Sequence, residues 1–169
     1  VQAMSKAVAE YAGVHGVRFA VIVLPERDEN PVPVLVQNFA QSAEAQRAIS
    51  RLTSLNNAGL EPTYDVIRSV ARNTIGLDFA AGSLRYLFLW TDEPGQTFEL
   101  PLVHEDTVTQ LIQETALTFV AFVPQMVASS FDDIAAASGG GVHGLADADS
   151  MARTIINYVD VGCEPESGG

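Results

Sequence analysis

The chain has a single cysteine, Cys163, and a single lysine, Lys6, among 169 residues. One cysteine excludes an internal disulfide framework and leaves either a buried bystander or half of a bridge to something outside the chain. The shortage of bases, 9 Lys plus Arg against 21 Asp plus Glu, sets the net charge at −12. Such a surface repels phosphate backbones and anionic lipid, which argues against nucleic-acid and membrane-surface binding. It attracts cations instead. No apolar run reaches the roughly 18–20 residues of a membrane span, and no signal-peptide pattern occurs. Neither G-x-G-x-x-G nor G-x-x-x-x-G-K-[ST] is present, so a nucleotide-phosphate cradle lacks its signature. There is no G-x-S-x-G elbow, and Cys163 lies beside the tail EPESGG, where nothing would activate it as a nucleophile. His15, His104 and His143 lie in separate connections without metal-ligand spacing, and each reads as a solvated loop residue. No enzyme class gains support.

What the chain does have is apolar residues, 47% of the total, enough for one domain with a substantial core. The run Leu84–Trp90 (LRYLFLW) is aromatic and unalternating, the pattern of a parallel strand buried on both faces. Val17–Leu24 (VRFAVIVL) and Leu117–Val123 (LTFVAFV) read the same way. Val32–Val36, with Pro31 and Pro33, suits an edge strand.

Helical periodicity appears over Val1–Gly13, Ser42–Leu55, Pro62–Ala71, Glu105–Thr115, Ser130–Ala137 and Asp147–Val159, with Ser42 placed to cap its helix. The SGGGVHGL stretch reads as a flexible loop with a small strand at best. Strands alternating with helices predict a doubly wound α/β sheet, mostly parallel and flanked by helices. The expected division is one domain over 1–160 and a loose tail over 161–169.

In open α/β sheets ligands bind beyond the carboxyl ends of the strands. There the sequence places Asp92, in TDEPG after the strand, and Glu61 and Thr63, in the loop entering a helix. Two carboxylates and a hydroxyl suit a hard divalent cation such as Mg²⁺, which keeps an open position. The same residues also cap helices and make turns.

Several segments together resemble the von Willebrand factor A domains, particularly the integrin β inserted domain and its prokaryotic relatives. LEPTYDVIRSVA (60–71) resembles the acidic loop that leads into a helix in that family. LRYLFLWTDEPGQTF (84–98) resembles the strand ending in Ser/Thr-Thr-Asp, and LTFVAFVP (117–124) the next core strand. GGGVHGLADADSMARTIINYV (139–159) resembles the closing stretch. The resemblance implies that Asp92, Glu61 and Thr63 are ligands of a metal-ion-dependent adhesion site for Mg²⁺, Mn²⁺ or Ca²⁺. It implies a non-enzymatic adhesion or assembly module, at the cell surface or outside the cell, whose protein partner offers a carboxylate. The alternatives are a metal-independent structural A domain and an intracellular one serving a chelatase or ATPase complex.

One departure is large. The family's Asp-x-Ser-x-Ser motif and the central strand before it are absent, since Val1–Gly13 matches the helix that follows them; DADSM (147–151) is no substitute. The resemblance therefore implies a sheet with an empty central position, completed by an N-terminal segment or a second chain. It also implies that Cys163 bridges to that segment.

Overall fold

The computed structural model describes residues 1–14, 16–24, 33–52, 60–98 and 103–163. In chain order the elements are α1 (Gln2–Glu10), β1 (Phe19–Val23), β2 (Val34–Ala40), α2 (Ser42–Ser50), α3 (Thr63–Ala71) and β3 (Arg85–Trp90). They continue with α4 (Glu105–Thr115), β4 (Leu117–Val123), a 3₁₀ segment (Gln125–Ser130), α5 (Asp132–Ser138), β5 (Gly141–Gly144) and α6 (Ala148–Cys163). β3, β4 and β5 form a parallel sheet in that order, with Arg85 opposite Leu117 and Val120 opposite Gly141. β1 and β2 form a separate antiparallel pair. The architecture is the expected doubly wound α/β arrangement.

The core sits around β4, the middle strand. All its residues except Thr118 are buried, because it has a partner on each edge and helices on each face. Ile67 and Val70 of α3, Val108 and Ile112 of α4, and Phe131 and Ile134 beside them cover one face. Ala7 of α1 with Ala152 and Ile155 of α6 covers the other, against Val120 and Phe122. Val8, Val21, Ala45 and Ile49 make a third cluster under α1 and α2.

Both β1 and β3 depart from the doubly buried strands that their sequences suggest. In each, one residue alone is fully buried (Val21 in β1, Leu89 in β3), and Leu84 falls outside β3 and is exposed. The reason is geometric: each has one neighbour rather than two. β2 runs to Ala40, beyond the expected Val36, and α2 ends at Ser50; residues 53–59 lie outside the described part.

Ser42 does not cap α2. Gln41 holds that position, and the Ser42 hydroxyl instead donates to the Val8 carbonyl across the α1–α2 contact (2.9 Å). The glycine stretch is not a loose loop either. Gly139 (φ 73°) ends α5, and Gly140 donates to the Ala135 carbonyl (2.9 Å) while passing so close to the Phe119 carbonyl that any side chain would collide. His143 is likewise not a solvated loop residue. It sits half-buried in β5 between the Phe122 and Tyr158 rings, and burial pushes its pKa down. His104 is exposed before α4, and His15 lies outside the described residues. Helix α6 continues to Cys163, past the expected boundary at 160.

Candidate functional site

The carboxyl end of β3 meets the start of α3, and buried polar groups hold the two together. After Trp90 the chain turns away through Thr91–Phe98. Three side chains at the head of α3 catch this turn: Glu61 (7% exposed), Thr63 (0%) and Asp65 (0%). The Thr91 hydroxyl donates to Glu61 Oε2 at 2.6 Å and accepts from the Glu93 N–H at 3.0 Å. The Thr63 hydroxyl donates to the Pro94 carbonyl and accepts from the Gln96 N–H, both at 3.2 Å. The Asp65 carboxylate accepts from the Thr97 hydroxyl at 2.6 Å and the Phe98 N–H at 2.7 Å, and pairs with Arg68 at 3.0 Å.

Backbone and ring contacts finish the clamp. Tyr64 N–H donates to the Gln96 carbonyl (3.0 Å), and its phenol donates to the Ser130 carbonyl (2.9 Å) beyond β4. A side chain at Gly95 would collide with the Tyr64 ring. Burial, and then the charge of Glu105, pushes the Tyr64 pKa up to about 12, so the phenol stays a donor. Buried carboxylates acceptable to a protein are those that are hydrogen-bonded or paired, and Asp65 is both.

The sequence-derived candidates thus divide. Glu61 and Thr63 are brought together against the turn that carries Asp92, as expected. Asp92 itself is exposed at the tip of that turn. Thr91 and Asp65, which carry the shortest bonds, were not among the candidates. Their signal was present but weak: an acid in the first turn of α3, three residues before Arg68, and a hydroxyl at the strand's end. The side chain of Cys163 lies outside what is described.

As cation ligands, Glu61, Thr63 and Asp92 offer oxygens of the right hard type. Two of the three already serve as internal hydrogen-bond partners. Among the described residues, no group of three acidic, imidazole or thiolate side chains converges on one point. The set fits a divalent cation in kind and falls short in number, so water or a partner would have to supply the rest.

More acids lie near this end. Glu105 and Asp106 open α4, and Asp132 and Asp133 open α5. Partial burial, followed by the charges of Asp133, Asp106 and Asp132, pushes the Glu105 pKa up. Met126 (86% exposed) follows β4, and Leu145, also exposed, follows β5.

No protein-family model matches the chain, and no curated protein sequence matches it. Solved structures do. Proximal thread matrix protein 1 from the mussel byssus superposes with a TM-score of 0.67 at 17% identity, over 95% of this chain and 39% of that one. A second crystal form of it gives 0.66 at 16% identity, over 96% and 42%. An aerotolerance-related membrane protein from Bacteroides fragilis NCTC 9343 gives 0.64 at 13% identity, over 95% of this chain and 86% of that one. The chain spans less than half the length of the mussel protein. The fold is that of von Willebrand factor A-like domains.

Proposed function

We propose that this chain is a non-enzymatic protein-recognition module for adhesion or assembly, engaging its partner at the carboxyl end of β3. The observation that carries this reading is the clamp: three buried polar residues at the head of α3 fix the turn that presents Asp92 to solvent. A binding surface built this way needs little ordering when a partner arrives, which favours recognition. The A-like fold supports the same reading, since a thread matrix protein and a membrane protein share it.

Asp92, Thr63 and Glu61 would hold Mg²⁺, or Mn²⁺ or Ca²⁺ in its place. When bound, such an ion supplies an open coordination position for a partner's carboxylate oxygen. Glu61 and Thr63 orient the turn, and Asp92 sets charge at its tip. A cell-surface or extracellular setting goes with this reading, with Cys163 bridged to a segment outside the chain. The second reading is an A domain that binds partners without metal. It is favoured by the internal use of Glu61 Oε2 and the Thr63 hydroxyl. An intracellular role in a chelatase or ATPase complex would show Cys163 as a free thiol.

The test is a nuclear magnetic resonance titration with a short peptide bearing one aspartate, with and without Mg²⁺. Metal-dependent shifts at Glu61–Tyr64 and Thr91–Gln96, lost in Asp92→Ala, support the first reading. Shifts at the same residues without metal support the second. Shifts at neither site overturn recognition at this end of the sheet.

A further inference from the structure

The sheet lies in two pieces that share one set of helices. Among the described residues, no ladder of backbone hydrogen bonds joins β1–β2 to β3–β4–β5. Adjacent residues of α1 nonetheless pack on both pieces, Ala7 on Val120 and Phe122, and Val8 on Val21. On the opposite face, Ala20 and Ile22 of β1 join the same cluster as Leu87 and Leu89 of β3, beside Ile67 and Val70 of α3. The two strands therefore present matched faces, as neighbours in one sheet plane do.

They also run the same way. Arg18, just before β1, donates to the Asp78 carbonyl in the segment leading into β3 (3.2 Å). Arg85, the first residue of β3, lies over the Phe79 ring. Each strand has a ladder on one edge only, so two parallel edges face one another across a notch.

We propose that this notch seats one extended peptide strand, apolar on both faces, five or six residues long and parallel to β1 and β3. The length follows from the five residues of β1 and the six of β3. The chemistry follows from the lining. Phe19–Val23 and Tyr86–Trp90 carry no charge, and clusters cover both faces, so a charged side chain on either face would be stranded. A strand seated there satisfies two edges of backbone donors and acceptors at once.

The direction follows from α1. Lys6 pairs with Asp149, and the Tyr11 phenol donates to Ile156 O (3.3 Å) and Asp160 Oδ1 (2.9 Å), so α1 and α6 run parallel. α6 starts beyond the carboxyl end of β5. α1 therefore starts at that same end, where a strand parallel to β3 would finish. Strand, α1 and β1 would then form a right-handed crossover of the usual kind.

The test is amide hydrogen exchange read strand by strand, with β4 as the internal standard. The 169-residue chain is compared with a version carrying six alternating valines and isoleucines ahead of Val1 on a short polar linker. A control version carries aspartate at every second position. The valine–isoleucine strand is expected to slow exchange in β1 and β3 at least tenfold, with the control giving no protection. A chain that is unprotected in β4 when alone, yet protected in β3 and β4 with the strand attached, gives the same support. Equal protection of β1, β3 and β4 in the chain alone as a monomer overturns the proposal. So does protection that appears only on dimerisation, which would make a second copy the occupant, and so does an attached strand without effect on β1 and β3.

Discussion

Asp65 is the residue on which the geometry of the candidate site most depends. Its carboxylate is fully buried and holds the Thr97 hydroxyl, the Phe98 N–H and the Arg68 guanidinium, whose own side chain is 14% exposed. Hydrogen bonds to a charged group contribute about 1.5–3 kcal/mol each. These three share one acceptor, so their values do not add. Removing one member of a buried pair costs about 3–5 kcal/mol because the other charge is left uncompensated.

Asp65→Ala is therefore expected to destabilise the fold by about 3–5 kcal/mol, and Asp65→Asn by about 2–4 kcal/mol. The asparagine keeps the shape but turns an NH₂ group toward a donor. Replacing both members, Asp65→Leu with Arg68→Met, is expected to recover part of the loss, since no buried charge remains. Urea denaturation followed by circular dichroism measures each value, and proteolysis within 91–98 reports release of the turn. A loss below about 1 kcal/mol for Asp65→Ala would refute the reasoning, because that is the size of an ordinary surface change.

Thr91→Val keeps the volume but leaves the buried Glu61 carboxylate without that donor, and is expected to cost about 1.5–3 kcal/mol in the same assay. Glu105 has its pKa raised in the fold, so its favourable contribution is complete below its unfolded value of about 4.5 and is lost as pH rises through the folded value. Glu105→Gln should flatten that decline and gain a few tenths of a kcal/mol, about 0.3, near neutral pH, seen as a smaller pH dependence of the melting temperature. Ala116 joins α4 to β4 with a left-handed backbone (φ 49°), so Ala116→Gly should stabilise by about 0.5–1 kcal/mol, the reverse of the usual glycine penalty.

Much of this architecture was legible in the sequence because its signals are local. Uniform apolar runs marked β3 and β4, and the helical stripes marked α3, α4 and α6. The same locality explains what was hidden. Whether Ser42 caps its own helix or reaches Val8 depends on where α1 packs. The glycines at 139–141 read as looseness, yet Gly140 is required by the close passage of Phe119. His143 reads as a loop residue until β5 pairs with β4.

At the candidate site, the sequence located the loops and chose residues by chemical type. It could not show that the Thr63 hydroxyl and Glu61 Oε2 face inward to bond the turn, nor that Asp65 would be the buried anchor. Such roles belong to the contact between two loops about thirty residues apart, and no pattern within either loop encodes that contact.

The most direct test of the account is paramagnetic broadening of the chain's amide resonances by a trace of Mn²⁺. A recognition site at the carboxyl end of β3, built on Glu61, Thr63 and Asp92, predicts selective broadening of Glu61–Tyr64 and Thr91–Gln96, abolished in Asp92→Ala. Equal or stronger broadening at Asp106, Asp132 and Asp133, with none at the turn, would mean that cations gather on the acidic helix starts alone and would contradict it.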